Sequence, residues 1–457
     1  MNDTIAAIAT ALAPAAIGIL RLSGPDSIAV LDRVFTPTHG APMAQRPDRT
    51  LVYGALRGPD GQVIDHCLAT VSRAPHSYTG EDTAELQCHG SPVGLTLGLE
   101  ALFAAGARQA QAGEFTRRAF LAGKLDLTRT EAIADLIHAE SAAAVVQAAG
   151  QLGGALAGAI EEVYQSLTDL LAHFHAVLDY PDEDIQPLQA AHIAATLAQT
   201  EDRLAQLEGS YRRGRALVEG IPCAIIGRPN AGKSTLFNAL LGYDRAIVTP
   251  TAGTTRDTVE ERSHLGGVLL RLIDTAGLRQ SDDQAEQLGI QRSHSAAERA
   301  ELALAVLDGS APLTPEDQEA LALALRAPRC VVILNKADLA GDTPAAPPGL
   351  PEGTPVVRLS ALTGAGMDGL ERTIQALFPA DPGLRPGCLL TNARQAQAAR
   401  QARQAVGRAG QALGEGLPPD AVLSDVELAL AALGELTGRV VRDDVTARIF
   451  QRFCVGK

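Results

Sequence analysis

At 457 residues the chain has room for about three domains of ordinary size, each able to bury a core without disulfides. Hydrophobic residues make up 46% of it and charged residues 20%, tryptophan is absent, and 80 alanines carry much of the apolar total, a balance that leans towards helix. Lys and Arg number 39 against 53 Asp and Glu; the net charge of −14 argues against a protein that coats nucleic acid by overall charge and leaves only a local basic face.

Six cysteines, Cys67, Cys88, Cys223, Cys330, Cys388 and Cys454, include no C-x-x-C pair. Their scatter disfavours a zinc site and a disulfide framework and points to a reducing cytoplasm. Ile5 to Leu20 is the most apolar stretch near the start, but Pro14 and Gly18 interrupt it and no Lys or Arg precedes it. It reads as neither a signal peptide nor a membrane span.

From Ile5 to about Arg118 the segments are short and mixed: Ile17 to Leu22 reads as a strand and Asp26 to Val34 as a helix, with Gly and Pro between segments. This predicts an α+β block. From Leu127 to Leu178 long alanine-rich segments carry Leu, Ile and Val at helical spacing until Tyr180-Pro181 stops the run, and Ala190 to Leu207 is helical again. Apolar runs Ile221–Ile226, Val268–Ile273, Leu302–Leu307, Val331–Leu334 and Val356–Leu359 then alternate with helical stretches, as in a mainly parallel sheet covered on both faces. Asp342 to Pro355 reads as a surface loop, the Pro-rich segment from Pro379 as the exit from this unit, and the chain from Thr391 onward as helix. Helix on both sides of a self-contained α/β unit implies insertion. The expected fold is multidomain: an α+β N-terminal domain (residues 1–120), a discontinuous all-α helical domain (121–218 and 381–457) and an inserted α/β P-loop domain (219–380).

The strongest chemical signal is Gly227-Arg-Pro-Asn-Ala-Gly-Lys-Ser234, a G-x-x-x-x-G-K-S motif placed where a strand feeds a helix. Gly227 and Gly232 allow the tight path, the N–H groups of Asn230 to Thr235 face phosphate oxygens, Lys233 offsets the β/γ charge and Ser234 suits Mg²⁺. Downstream, Asp274-Thr275-Ala276-Gly277 closes a strand and brings a carboxylate towards the metal. Asn335-Lys336-Ala337-Asp338 follows another strand, and the Asp338 carboxylate can accept from the two adjacent N–H donors of guanine, a pair that adenine lacks. Ser360-Ala361-Leu362 suits the loop that meets the guanine carbonyl. Four signals in this order predict GTP as ligand.

This unit resembles the translation-factor-related GTPases, and Gly253-Thr-Thr-Arg-Asp257 sits where they place switch I, which makes Thr255 the second Mg²⁺ ligand. Leu278 stands after Gly277 where Ras-like proteins carry a water-orienting Gln, work an apolar side chain cannot do. Beyond the nucleotide motifs, Gly18 to Gly24, Tyr78 to Glu85, Gly113 to Arg117, Ala119 to Leu127, Glu131 to Leu136, Thr251 to Asp257 and the terminal Cys454-Val-Gly-Lys457 resemble the MnmE (TrmE) family of tRNA-modification GTPases from Ile17 to the end.

That resemblance implies a K⁺ ion beside the P-loop in place of an arginine finger, with Asn230, Thr249, Thr251 and Thr254 around it and Thr249-Pro250-Thr251-Ala252-Gly253-Thr254-Thr255 as the covering, GTP-contacting loop. It implies Glu286 as the acid that orients water. It also implies a reduced folate (5,10-methylene- or 5-formyl-tetrahydrofolate) at Arg21, Glu85, Lys124 and Lys457, with Cys454 a candidate in the modification chemistry. The family works as a homodimer with the FAD-dependent MnmG protein on the wobble uridine of certain tRNAs, in the cytoplasm. Glu260, where some relatives carry Arg, and Ser91, where a Gly is common, depart from the pattern. The rival expectation is an RNA-binding ribosome-assembly GTPase, which shares the nucleotide unit but has no need of the folate-like block or the Cys-Val-Gly-Lys tail. Arg385, Arg394, Arg400, Arg403 and Arg408, in a stretch without Asp or Glu, form the candidate tRNA contact.

Overall fold

The computed structural model describes residues 3–179, 189–243, 261–273, 296–339, 347–378, 385–439, 453 and 455–456, the side chains of 176–179 and 243 excepted. Contacts divide the chain into two compact units, residues 1–137 with 151–202 and 398–457, and residues 138–150 with 203–397. In sequence the second is nested within the first.

The first unit opens with β1 (Ile5–Ile8) and β2 (Ala15–Ser23), followed by α1 (Ser27–Val34), β3 (Phe35–Pro37), β4 (Val52–Arg57), β5 (Val63–Ser72) and β6 (Thr83–Gly90). Helix α2 (Pro92–Ala104), β7 (Arg108–Gln109), α3 (Glu114–Leu121) and α4 (Leu127–Ile137) complete the block. The seven strands lie in the order β3-β4-β5-β6-β2-β1-β7, antiparallel except where β1 meets β7. Burial alternates along β6, so Ala84, Leu86 and Cys88 enter the core while Glu85 and Gln87 face outward. That alternation aligns Glu85 with Arg21 across the β2–β6 pair.

Helices α5 (Ala142–Leu152), α6 (Ala155–Asp179) and α7 (Ala190–Glu219) replace the two helical runs expected from sequence. The break between α5 and α6 falls at Gly153-Gly154, where Gly154 has φ 95°. Helix α7 continues twelve residues beyond the expected Leu207.

The second unit holds β8 (Ile221–Ile226), α8 (Lys233–Tyr243), β9 (Glu261–Leu265), β10 (Val268–Leu272), β11 (Leu302–Asp308), α9 (Pro315–Ala324), β12 (Arg329–Asn335), β13 (Val356–Arg358) and α10 (Met367–Leu377). Its sheet runs β13-β12-β11-β8-β10-β9, parallel except for the β9–β10 hairpin. The runs Leu302–Leu307 and Cys330–Leu334 are wholly buried, which explains why they are apolar throughout rather than alternating. Strand β9 escaped the sequence reading because Glu-Arg-Ser-His-Leu is polar; it is an edge strand and needs only Ser263 and Leu265 buried. Helices α11 (Ala393–Gly414) and α12 (Pro419–Thr437) follow. Within the first unit α12 packs on α6 and α4. The multidomain expectation, an α+β block, helical segments and a nested mainly parallel α/β unit, agrees with this architecture.

Candidate functional site

In the second unit, β8 delivers the chain to Gly227, where an added Cβ would lie 2.3 Å from the Val306 carbonyl oxygen of β11. Only glycine lets the backbone lie this close to the sheet. The loop then turns through Asn230 at φ 61° and Gly232 at φ 95°, and α8 begins at Lys233. A Cβ on Gly232 would stand 2.1 Å from Asn335 Nδ2, so the second glycine is required both by conformation and by space. The first N–H groups of α8 have no partner within their own helix, and their dipole favours an anion there. The half-buried Lys233 ammonium donates to the carbonyl oxygens of Gly227 at 2.7 Å and Arg228 at 2.8 Å, and its burial lowers its pKa. A phosphate in this cradle offers the ammonium a stronger acceptor than either carbonyl.

Asn335, at the end of β12, is buried and ties three segments together. Its Nδ2 donates to Ala231 O at 3.0 Å, and its Oδ1 accepts from Ala361 N at 3.0 Å. The phosphate loop is thereby pinned to the Ser360–Leu362 loop. Ser360 is buried and holds that loop's turn, with its N–H on Ala365 O and its carbonyl accepting from Gly364 N. Asp338 and Leu362 are exposed, and Lys336 has φ 62°. Ser234 is exposed and Thr235 half-buried on the first turn of α8. Asn335 thus brings the Asn230–Ser234 loop, through Ala231, together with the Ser360–Leu362 loop, through Ala361. Thr249, Pro250, Thr251, Ala252, Gly253, Thr254, Thr255, Glu260, Asp274, Thr275, Ala276, Gly277, Leu278 and Glu286 lie outside the described residues, as do Cys454 and Lys457.

In the first unit Arg21 and Glu85 are direct cross-strand partners, Nε to Oε1 at 2.8 Å. The Arg21 Nη1 also donates to Gly456 O at 3.4 Å, so a residue from the far end of the chain reaches β2. The tail is held there by a bridge between Val455 and Ala112 and by Gly456 at φ 104°, whose added Cβ would lie 2.4 Å from Ile8 O. Two aromatic rings flank the guanidinium, Tyr78 at 6.0 Å and Phe115 at 5.9 Å from their centroids. The Tyr78 hydroxyl shares a hydrogen bond with Thr116 Oγ1 at 3.0 Å, and burial raises its pKa. Lys124 is exposed and lies against the Tyr78-Thr-Gly-Glu turn, close enough that a Cβ on Gly80 would be 3.3 Å from its Cε. Tyr78, Phe115 and Gly456 were not among the site residues expected from sequence, although each lies in a segment that carries the family resemblance; only the fold shows that they meet at Arg21.

In the same unit an ion network centres on the buried Arg118 and Glu114. Arg118 donates to Asp3 O, Asp3 Oδ1, Glu81 Oε2 and Glu114 Oε1, all between 2.8 and 3.0 Å. Burial alone would raise the Glu114 carboxyl, yet Arg108, the Gln111 N–H and Arg118 bring it down to about 2. Glu81 also accepts from Ser23 Oγ, and Ser23 Oγ meets Thr79 Oγ1 at 2.7 Å, which anchors the turn carrying Tyr78. Cys67, Cys88, Cys223 and Cys330 are free and buried, and burial pushes the Cys330 thiol up to about 11. Among the described residues no cluster of three His, Cys, Asp or Glu suits a metal ion, and no single helix is long and apolar enough to cross a membrane.

Against known proteins, the family profile for the GTP-binding protein TrmE N-terminus matches residues 4–124 and that for the MnmE helical domain matches residues 127–454. The tRNA modification GTPase MnmE of Symbiobacterium thermophilum is 44% identical over 458 residues, covering 100% of both chains. Its counterpart from Chloroflexus aurantiacus is 43% identical over 463 residues, again covering 100% of both. Among solved structures, Era in complex with MgGDPNP and nucleotides 1506–1542 of 16S ribosomal RNA is 28% identical over 40% of this chain and 65% of that one, with a TM-score of 0.25. Full-length identity above 40% to proteins of one name, with two profiles that together span nearly the whole sequence, establishes that the chain belongs to the MnmE (TrmE) family of tRNA modification GTPases.

Proposed function

We propose that the chain is a K⁺-stimulated GTPase that, as a cytoplasmic homodimer with the FAD-dependent MnmG protein, adds an aminomethyl or carboxymethylaminomethyl group to carbon 5 of the wobble uridine of certain tRNAs, using a one-carbon unit from a reduced folate. The observation that carries this reading is the meeting of Arg21, Glu85 and the carbonyl of Gly456, drawn from both ends of a chain that also contains the Asn335-pinned phosphate loop. A GTPase that only switches on RNA has no use for the first cluster.

In the nucleotide unit, the α8 amides and Lys233 bind the phosphates, Ser234 and Thr255 hold Mg²⁺, and Asp338 selects guanine over adenine by accepting its paired donors. Asn230 together with Thr249, Thr251 and Thr254 holds K⁺, which would supply positive charge where negative charge develops on the β–γ bridge. Glu286 orients the attacking water. At the other site the Glu85 carboxylate accepts from the amino-pyrimidine edge of a pterin, while Arg21 and Lys124 pair with carboxylates of the glutamate tail. The exposed Tyr78 ring offers a flat face, while the buried Phe115 ring backs the Arg21 guanidinium from the core. Lys457 and Cys454 belong to the tail that Gly456 brings to Arg21. Homodimerisation through the first unit is supported by apolar side chains that clash with a solvent-facing role, Leu12 at 59%, Ile17 at 58% and Val93 at 70% exposure, around the start of β2 and the adjoining start of α2.

Mass spectrometry of tRNA nucleosides from cells lacking this gene tests the reading: loss of the wobble-uridine modification is expected, and an unchanged pattern rejects it. Exchange of K⁺ for Na⁺ in a hydrolysis assay tests the ion separately. Equal rates in the two salts would remove K⁺ from the mechanism while leaving the tRNA chemistry standing.

A further inference from the structure

Arg228, the second residue of the phosphate loop, does not point at the phosphate cradle. Its Nε donates to both oxygens of Asp317, at 2.9 and 3.1 Å, and its Nη2 stands 3.6 Å from Asp308 Oδ2. Both acids are well inside the protein, with side chains 2% and 10% exposed. Asp317 is already committed elsewhere: its Oδ2 accepts from the backbone and hydroxyl of Thr314 in the capping box that starts α9. Asp308, at the end of β11, accepts from Ser310 N and Ser310 Oγ on Oδ1 and from Lys336 Nζ at 2.7 Å on Oδ2. Burial would raise the Asp308 carboxyl, but hydrogen bonds from Lys336 and Ser310 hold it below the usual carboxylate range.

Lys336 is the residue inside the Asn335–Asp338 motif whose backbone has φ 62°, a conformation that a side chain longer than Asn or Asp rarely adopts unless its surroundings impose it. Its ammonium is fixed by Asp308, and the backbone on either side is fixed by Asn335 and by Ala337 N on Leu359 O. The phosphate loop and the base-reading loop, more than a hundred residues apart, thus draw a cation each to the same carboxylate. No motif of the GTPase pattern read from the sequence includes Asp308 or Asp317.

We infer that Asp308 is a positioning residue for the guanine nucleotide: it holds Lys336 in the base-reading loop and, with Asp317, fixes Arg228, so that phosphate cradle and base pocket keep one spacing. The inference rests on the nucleotide reading proposed above. The Asp308 carboxylate is engaged by Ser310, Lys336 and Arg228, so it acts through Lys336 and Arg228. Its removal therefore loosens retention of the nucleotide more than it slows hydrolysis of nucleotide once bound.

The test uses the full chain and N-methylanthraniloyl-GDP. Release from the parent, Asp308→Asn, Asp308→Glu, Arg228→Gln and Arg228→Lys is followed by stopped-flow fluorescence, with GTP hydrolysis and thermal melting on the same preparations. Asp308→Asn keeps the shape and the Ser310 bonds but cannot neutralise Lys336, and it is expected to release the probe about tenfold faster with the loss in KM rather than kcat. Arg228→Gln should do the same to a smaller degree, and the double variant should lose less than the two single losses combined, because both act through one carboxylate. Asp308→Glu should recover part of the loss. A melting temperature lowered in Asp308→Asn with probe release within about twofold of the parent assigns the acid to folding alone and overturns the inference. A parent chain that fails to bind the probe defeats the nucleotide reading itself, and the inference with it.

Discussion

Replacing Asn335 by Ala isolates the single side chain that locks the nucleotide unit's two loops together. The side chain is 2% exposed, donates to Ala231 O and accepts from Ala361 N, each at 3.0 Å, and both partners are themselves buried. Alanine leaves one buried carbonyl and one buried N–H without their partner, and each such loss costs about 1–3 kcal/mol. The expected destabilisation is therefore roughly 2–6 kcal/mol, to which the vacated amide volume adds little. For a unit of this size about 1 kcal/mol moves the midpoint by roughly 2–4 °C, so the calorimetric transition of the nucleotide unit should fall by roughly 4–24 °C. Asn335→Asp sharpens the test. It retains an acceptor for Ala361 N but turns an oxygen, not a donor, towards Ala231 O, and it buries a charge.

At neutral pH the aspartate variant should be at least as unstable as the alanine one. Burial of the carboxylate raises its folded pKa above the unfolded value of about 4, so the penalty is full above the folded pKa and fades as pH falls through it, when the protonated carboxyl regains a donor. Differential scanning calorimetry from about pH 8 down to the lowest pH at which the parent stays folded, on parent and both variants, reads both effects. A transition for Asn335→Ala within about 2 °C of the parent, or an aspartate variant whose deficit does not shrink on acidification, refutes the claim that these two hydrogen bonds hold the loops.

Gly232→Ala forces a Cβ to 2.1 Å from Asn335 Nδ2 at a backbone φ of 95°. Loss of roughly 1–3 kcal/mol of stability and a more than tenfold weaker fit to fluorescent GDP are expected, read by calorimetry and titration. Gly456→Ala meets Ile8 O at 2.4 Å with φ 104°, so the tail should leave its place and amide exchange at the Ala112–Val455 bridge should quicken, with little change in the nucleotide unit. For Glu114, a folded pKa of about 2 against the ordinary 4.5 means stability that is present above 4.5 and lost as pH falls through about 2. Glu114→Gln should cost roughly 2–3 kcal/mol at neutral pH and flatten acid unfolding of the first unit in that window, measured by circular dichroism.

The nucleotide unit was the more legible half of the molecule because its chemistry is local. Gly227, Gly232, Lys233 and Ser234 lie within eight residues, and the strand before them and helix after them follow from apolar run and motif together. The parallel order was readable from the buried runs Leu302–Leu307 and Val331–Leu334, since a strand covered on both faces has no polar alternation to lose. What stayed hidden there were groups whose role is set by a distant partner. Asp308 and Asp317 look like ordinary strand-end and helix-start acids, and only the fold shows them gripping Arg228 and Lys336.

The first unit poses the opposite problem, because its cluster exists in no stretch of sequence. Arg21 and Gly456 are separated by 435 residues and meet through a contact no periodicity encodes. Arg21 and Glu85 become partners through the β2–β6 register, which a shift of one residue would abolish by turning every side chain to the other face. The network of Arg118 with Glu114, Asp3 and Glu81 helps hold that register: it ties the first residues of the chain, the Tyr78 turn and α3 to one guanidinium, and Arg118 or Glu114 left alone would be an uncompensated buried charge. Such a network is costly to build for stability alone, since well-packed apolar residues would serve. Its link to the Tyr78 turn through Glu81, Ser23 and Thr79 argues that it is kept to hold that turn in one geometry.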